Sequence, residues 1–305
     1  MILYHYTSMD TAVKILENHS IWASDITRSN DYLEMNMVYP DICDAVYEEH
    51  EKGRTVEFQY AGEKGLRSLQ KAVMKAKEQI DDVISYGDLL TYVLCFSEGE
   101  DLLSQWRSYA DDGRGVAIGF DSEELKTFTK TKIKDAFALQ KVEYKTEEER
   151  KQFVELKAYN LLHVYKEMYD STNRFPGDHQ SIELIKHMIT WFMQEAIAIK
   201  PEGFSEEQEW RLFIRNVAPS NDYFAPDYMG SELKQFVHEN MDCCVRNGII
   251  TTFIPINLNE LGDFPIKSIM LGPTNSTTER DMKFFLEKNG YQNVNVERSK
   301  ISYRR

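Results

Sequence analysis

Cysteines and long apolar runs are scarce in this chain of 305 residues, and its basic residues are outnumbered by acidic ones. Lysine and arginine number 36 against 50 aspartates and glutamates, which gives a formal net charge of −14. Because contacts with nucleic-acid phosphates need clustered cations, this balance argues against a broad nucleic-acid-binding surface. No apolar run is long enough to span a bilayer and no secretory signal pattern is present, so we expect no membrane association.

The four cysteines include an adjacent pair, Cys243 and Cys244, and do not form the disulfide framework of a small secreted domain. This usage predicts a cytoplasmic protein. The sequence also lacks a Walker loop, a glycine-rich dinucleotide fingerprint, a Cys-x-x-Cys pair and a serine-hydrolase elbow. These absences remove the function classes that those motifs define.

Apolar periodicity predicts strands in both halves of the chain, with helices between them. Strands are expected at 2–7, in a segment ending at Ser97, in another ending at Phe120, at 211–215, in a hairpin of 242–245 with 249–254, at 266–271 and at 294–296. Helices are expected after Ser8 and at 31–49, 65–84, 147–169, 182–199 and 277–288. The fold class is therefore α+β: one domain over 1–305, with mixed or antiparallel sheets from both ends and a helical hairpin inserted at 146–200.

The acidic stretch Glu207-Gln208-Glu209 comes directly before the aromatic-rich segment that begins at Trp210. In an extended segment, residues two apart project from the same face, so Glu207 and Glu209 could approach one ligand together. Such a pair suits chemistry on a cationic or polarised substrate. The alternative is that this stretch is a solvated acidic loop.

Three predicted strands each carry a polar group near one end, in the motifs His5-Tyr6-Thr7, Cys95-Phe96-Ser97 and Glu207-Gln208-Glu209. Their order resembles the three dispersed motifs of the ADP-ribosyltransferase superfamily. Over nearly its whole length the chain also resembles a bacterial family of unknown function, domain of unknown function 2971. The segments that carry this second resemblance are 3–8, 21–24, 30–34, 95–98, 105–110, 115–120, 209–211 and 269–273.

The transferase resemblance implies an ADP-ribosyltransferase-like fold, NAD as the substrate, and a macromolecular acceptor in a toxin-like or antiphage setting. Glu209 would stabilise the cationic ribose of the transition state, and Glu207 would orient or deprotonate the acceptor. His5 would bind the adenosine ribose, and Ser97 would hold the catalytic carboxylate. The remaining cofactor contacts expected are Tyr6, Thr7, Asn30, Tyr92, Trp106, Arg107, Tyr109 and Arg211.

Each of these residues also has a structural interpretation. His5, Trp106 and Tyr109 could be core residues, Ser97 a turn former, and Asn30 a helix cap. Arginines beside aromatics, as in Trp106-Arg107 and Trp210-Arg211, suit a pyrophosphate or a neighbouring acid equally well.

Three classes of function remain open from the residues alone. The first is an NAD-dependent transferase acting on a protein or nucleic acid, with an antitoxin or a second copy of the chain as partner. The second is a non-catalytic ligand-binding or interaction protein. The third is a metal-dependent hydrolase or nuclease built from His5, Asp31, Glu34 and Glu209, although no local ligand spacing supports a metal site.

Overall fold

The computed structural model describes the ranges 1–26, 44–45, 71–76, 78, 91–131, 137–172, 181–182, 184–185, 188, 192, 195–214, 235–246, 248–262 and 265–303. The strands with defined bounds are β1 (Ile2–Thr7), β2 (Ser20–Asp25), β3 (Tyr92–Ser97), β4 (Val116–Asp121), β5 (Phe137–Lys141), β6 (Glu143–Lys145), β7 (Ile199–Pro201), β8 (Glu209–Ile214), β9 (Asp242–Arg246), β10 (Ile249–Asn257), β11 (Ile266–Leu271) and β12 (Asn295–Arg298). The helices are α1 (Met9–Glu17), α2 (Leu103–Tyr109), α3 (Ser122–Thr131), α4 (Glu147–Thr172) and α5 (Glu279–Lys288). Two 3₁₀ helices lie at Glu202–Glu207 and Leu258–Glu260.

One large sheet organises the described part of the chain. Its strands follow the order β12-β11-β4-β1-β3-β2-β10-β9, and β8 and β5 join it through a pairing of β8 with β3. All neighbours are antiparallel except β11 with β12. Strands β6 and β7 form a separate parallel pair. The sheet unites strands from both ends of the sequence, so the expectation of a mixed α/β fold with a mostly antiparallel sheet is confirmed.

Helix α1 shows how local sequence fixes the start of this architecture. The Ser8 hydroxyl accepts a hydrogen bond from the Thr11 main-chain N–H at 3.2 Å, so it caps the first turn as predicted. Ala12, Ile15 and Leu16 recur at helical spacing and are buried in the main core. The helix therefore covers one face of the sheet immediately after β1.

The two faces of the sheet have different cores. Leu3, Phe96 and Ile118 belong to the large cluster that also receives α1, whereas Tyr6 packs with Trp106 in a smaller cluster on α2. The Tyr6 and Trp106 rings meet edge to face with centroids 4.7 Å apart. Alternation along β1 accounts for this division, because neighbouring residues of a strand point to opposite faces.

The prediction of a helix through residue 199 is wrong at its C-terminal end. Helical structure stops before Ile197, and Ile199–Pro201 forms β7 beside β6. Proline disfavours helical geometry in the residue before it, so Lys200-Pro201 supports an extended segment here. The predicted helices at 31–49 and 65–84 lie largely outside the described residues. No helix in the described ranges is long and apolar enough to cross a membrane.

Candidate functional site

Strand β3 has three neighbours, and this makes the sheet fork. Along one edge, β8 pairs with β3 from Val93 to Ser97. The other edge is divided, since β2 pairs with Tyr92 and Val93 whereas β1 pairs with Ser97. Strands β1 and β2 therefore diverge from each other, and a gap opens between them over the middle of β3.

His5 lies in this fork and bonds to the strand across the gap. Its Nδ1 atom is 3.0 Å from the carbonyl oxygen of Cys95. A carbonyl only accepts hydrogen bonds, so Nδ1 carries the proton and Nε2 of the neutral ring has an unshared electron pair. Burial lowers the pKa of His5, and the bond to Cys95 only partly opposes that shift, so the neutral ring is favoured near pH 7.

A pocket of about 580 Å³ occupies the fork. This volume lies within the range of small-molecule sites in proteins. Because the pocket lies between two diverging strands, residues from both faces of β1 reach it. The lining residues are His5, Tyr6, Thr7, Ser8, Thr11, Lys14, Ile15, Asn18, Ser20, Ile21, Trp22, Ser24, Tyr109, Cys244, Val245 and Arg246.

The lining has a distinctive composition. Tyr6, Trp22 and Tyr109 supply aromatic surface, and several hydroxyl groups stand among them. Lys14 and Arg246 are cationic, and the described residues that line the pocket include no aspartate or glutamate. In a chain with a net charge of −14, such a pocket favours an anionic ligand with a planar part.

The backbone around Thr7 is closely packed, which fixes one wall of the pocket. A Cβ atom added at Gly115 would overlap the carbonyl oxygen of Thr7. Only glycine permits this approach of the α2–β4 connection to the end of β1. On the neighbouring residue, the Tyr6 hydroxyl donates to the Gly99 carbonyl at 2.7 Å, which holds the loop after β3 against β1.

Glu207 and Glu209 do not share an extended segment, contrary to the prediction. Glu207 ends the 3₁₀ helix, Gln208 adopts a left-handed conformation with φ +47°, and Glu209 begins β8. The two carboxylates converge all the same, because both bind Lys200. Its Nζ lies 2.6 Å from Oε2 of Glu207 and 2.7 Å from Oε2 of Glu209.

Arg211 completes the neutralisation of Glu209. Its Nε and Nη2 atoms donate to the two carboxylate oxygens of Glu209 at 2.8 and 3.1 Å, and its Nη1 donates to the carbonyl of Ile197 at 2.5 Å. Burial alone would raise the pKa of Glu209, but Arg211 and Lys200 outweigh it and lower the pKa. These three side chains, together with Glu207, sum to no net charge.

Ser97 supports the acidic pair in a different way from the one predicted. Its hydroxyl donates to the main-chain carbonyl of Glu207 at 2.6 Å and accepts from the Gly99 N–H at 3.1 Å. It therefore fixes the backbone at the end of the 3₁₀ helix and does not hold a carboxylate. Ser97 is fully buried, as is usual for a hydroxyl that joins two main-chain segments.

Tyr109 connects the acidic pair to the pocket. Its ring lines the pocket, and its hydroxyl donates to Oε1 of Glu207 at 3.3 Å. Glu207 is thus linked to the pocket through Tyr109, and neither carboxylate is itself among the lining residues. Glu209 shares a sheet face with Ser97 and Tyr4, which are directly opposite it across the strands, whereas His5 points to the other face.

The structure does not bring the other predicted contacts into the pocket. Tyr92 is buried in the main core, where its hydroxyl donates to Thr252 at 3.1 Å. Trp106 is buried beneath Tyr6 and donates to Asp101 at 2.7 Å. Arg107 is exposed on α2. Asn30 lies outside the described residues, together with Asp31 and Glu34 of the conceivable metal site. Within the described ranges, no group of three metal-ligating side chains is assembled.

Several residues of this region were not predicted from the sequence. Lys200 directly follows the predicted helix at 182–199, and nothing in its local pattern shows that it becomes fully buried between two carboxylates. Trp22, Lys14 and Arg246 belong to three separate elements that only the forked sheet and its hairpin bring together. The sequence indicated these residues only through their side-chain types, which are two cations and an exposed aromatic.

Comparison with known proteins supports the resemblance to the family of unknown function and indicates no activity. Residues 105–212, from α2 to β8, match the model of a family described as a protein of unknown function, DUF2971. That segment contains Tyr109, Lys200, Glu207 and Glu209. No curated protein and no solved structure matches the chain.

Proposed function

We propose that this protein binds NAD in the pocket between β1 and β2 and transfers ADP-ribose to a macromolecular acceptor. The observation that carries the proposal is the pocket lining: three aromatic rings, several hydroxyls, Lys14 and Arg246, and no carboxylate among the described lining residues. NAD needs cations for its pyrophosphate, planar surfaces for its rings and polar groups for its riboses. The resemblance of His5-Tyr6-Thr7 to a transferase motif agrees with this ligand.

In this proposal His5 holds a ribose. Its Nδ1–H is committed to Cys95, so Nε2 accepts a hydrogen bond from a ribose hydroxyl. Trp22 or Tyr109, which are both exposed, supplies the stacking surface, and Lys14 and Arg246 face the phosphates. Each of these roles uses a side chain whose interaction partner is either another residue of the protein or the bound ligand.

The transfer step breaks the bond between nicotinamide and ribose, and the bonding electrons leave with nicotinamide. A nearby carboxylate stabilises the cationic ribose that develops, until a nucleophile of the acceptor forms the new bond and releases its proton to water. Both oxygens of Glu209 are bonded to the Arg211 guanidinium, whereas Oε1 of Glu207 accepts from the neutral hydroxyl of Tyr109, which lines the pocket, so we assign the stabilising role to Glu207. Glu209 then acts as a positioning residue that fixes Lys200 and Arg211.

Nicotinamide release from NAD tests this assignment. Glu207→Gln should slow release by about a hundred-fold or more, the cost of losing a transition-state contact of roughly 3 kcal/mol. Glu206→Gln, one residue away and exposed, is the matched control and should leave the rate unchanged. Equal rates in wild type and Glu207→Gln would remove Glu207 from catalysis. Loss of activity on adding a chelator would instead favour the metal-dependent hydrolase.

A second candidate function is ligand binding without chemistry. It is favoured by the acidic cluster, in which Lys200 and Arg211 cancel the charges of Glu207 and Glu209. A cluster with no net charge stabilises a forming cation less than a free carboxylate does. Under this candidate NAD or a related nucleotide binds, but no nicotinamide is released by the wild type or by any variant.

A further inference from the structure

The β9–β10 hairpin extends beyond the rest of the sheet as a two-stranded ribbon. Strand β10 pairs with β2 only from Phe253 onward, whereas its earlier residues, 249–252, pair with β9. In the part of the chain that the structure describes, β9 pairs with β10 alone. Isolated two-stranded ribbons are marginal in water, and a third strand stabilises them.

The ribbon also exposes apolar side chains. Val245 retains 73% of its accessible surface and Ile250 retains 68%, and these two residues are directly opposite each other in the hairpin. Edge strands that stay single normally carry charges, prolines or bulges that discourage pairing. Strand β9, Asp-Cys-Cys-Val-Arg, has an acid at one end, a base at the other and no net charge.

The sequence of β9 is complementary to itself in the antiparallel direction. If two copies pair with Cys244 at the centre, each Asp242 lies opposite Arg246 of the second copy, and each Cys243 lies opposite Val245. Opposite charges at directly facing positions stabilise a strand pair. A two-fold axis through Cys244 therefore gives two ion pairs and an apolar centre from one five-residue strand.

The main chain of β9 is compatible with this pairing. The Cys243 N–H donates to the side chain of its neighbour Asp242 at 2.7 Å. In a β-ladder, the main-chain N–H and C=O groups of successive residues point to alternate sides of the strand. An N–H group on the outer side of an edge strand therefore needs another acceptor when no further strand pairs there. A carbonyl of a second copy would take over from the Asp242 carboxylate and free it to meet Arg246.

We propose that two copies of this chain form a symmetric dimer by antiparallel pairing of their β9 strands about Cys244. The dimer continues one sheet through both copies and buries the exposed ribbon. It also brings Asp242 of the second copy to Arg246, which lines the pocket. The guanidinium has five N–H donors, so contact with Asp242 leaves donors for a ligand. The proposal is independent of the ligand's identity.

Charge reversal tests the register. Analytical ultracentrifugation of the full chain over a concentration series should show a monomer–dimer equilibrium. Asp242→Arg and Arg246→Asp should each weaken it by about ten-fold or more, because each substitution places like charges opposite each other twice. Glu287→Arg, an equal charge change on the exposed side of α5, is the control and should have no effect.

Mixing the two single variants gives the sharper result. Asp242→Arg carries only positive charge on β9 and Arg246→Asp only negative charge, so a one-to-one mixture should associate at least as well as wild type. Misfolding of either variant would not produce this rescue. A monomeric wild type at every concentration, association unchanged in both single variants, or no rescue on mixing would overturn the proposal.

Disulfide cross-linking tests which residue lies at the centre of the β9–β9 strand pair. A variant that retains only Cys244 should form an oxidised dimer rapidly, because directly facing residues of antiparallel strands lie within about 5.5 Å of each other and suit a disulfide. A variant that retains only Cys243 should not, since its two copies are diagonal neighbours about 7–8 Å apart. Equal cross-linking of both variants would contradict a register centred on Cys244.

Discussion

At the scale of single residues, Lys200 determines how the acidic pair can be used. Its ammonium group is fully buried and bridges Glu207 and Glu209, which reach it from different local structures. A buried cation is costly unless it is paired, so Lys200 requires carboxylates beside it. The acidic stretch is consequently part of an ion network and is not the solvated loop that its charge pattern taken alone favoured.

Removing one charge from this network should destabilise the fold. Glu209→Gln leaves Arg211 and Lys200 buried with one carboxylate fewer, so the free energy of unfolding should fall by about 3–5 kcal/mol. Denaturant unfolding measures this change. The exposed neighbour Glu206→Gln should stay within about 0.5 kcal/mol of wild type. If both variants unfold alike, the network contributes nothing to stability.

His5 should make ligand binding depend on pH in one direction. Its folded-state pKa is lowered by burial, so the ring is neutral at pH 7 and gains a proton only below its ordinary value of 6.5. NAD affinity should be constant above pH 6.5 and fall as the pH drops further, because protonation of Nε2 removes the acceptor for the ribose hydroxyl. Calorimetric titration at several pH values measures this, with His5→Gln expected to bind weakly and without the pH dependence. An affinity that rises on acidification would contradict the role of Nε2.

At the scale of elements, the segment from the 3₁₀ helix into β8 sets the separation of the two acids. Gln208 connects them in a left-handed conformation, and its carbonyl accepts from the Glu98 N–H at 2.9 Å. A single left-handed residue turns the chain so that Glu207 faces Tyr109 and Glu209 faces Arg211. The geometry of the pair thus depends on the backbone of the residue between them.

Substitutions at Gln208 should reveal this conformation. Gln208→Gly should be neutral or should raise the free energy of unfolding by up to about 1 kcal/mol, because glycine adopts a positive φ without strain. Gln208→Val should lower it by about 1–2 kcal/mol, since a β-branched side chain is poorly tolerated there. Thermal denaturation of both variants measures the difference. A valine variant as stable as the glycine variant would show that this backbone is not left-handed in solution.

The sequence predicts those elements whose pattern is local. β1, the Ser8 cap, α4, the β9–β10 hairpin and β11 follow from apolar periodicity, capping residues and a turn signal, and the structure confirms them. β5, β6 and β7 were not predicted, because each has only three to five residues and its side chains do not alternate clearly. A short strand of this kind is defined by its neighbours in the sheet and hardly at all by its own residues.

The residues of the candidate site were also predictable only in part, because a local pattern shows some of them and only the fold shows the others. His5, Tyr6, Thr7 and Tyr109 were expected to contact a ligand and do line the pocket. Tyr92 and Trp106 were expected there and are buried in the cores, since aromatic residues serve either purpose and only the fold distinguishes them. The fork that creates the pocket arises from long-range pairing, in which β3 meets β1 and β2 from the start of the chain and β8 from residues 209–214.

At the scale of the whole molecule, the pattern of strand pairing in the sheet determines the position of the pocket. Strands β1 and β2 pair with opposite ends of β3 and diverge from each other, and the C-terminal strands β11 and β10 join the sheet on the two sides of this gap through β4 and β2. Cations gather at the resulting gap although the chain is strongly acidic. The gap is therefore the described region where the fold and the charge distribution together favour an anionic ligand.

The most direct test of this account is calorimetric titration of NAD into wild type and into Ser24→Trp. Ser24 lines the pocket on β2 beside Trp22, so a second indole there should fill the space that the ligand needs. The control is Ser122→Ala, on α3 outside the pocket lining. We predict that wild type and the control bind NAD with equal affinity and that Ser24→Trp binds at least about ten-fold more weakly, a loss of roughly 1.4 kcal/mol. Absence of NAD binding by wild type, or equal binding by Ser24→Trp, would contradict the assignment of the pocket.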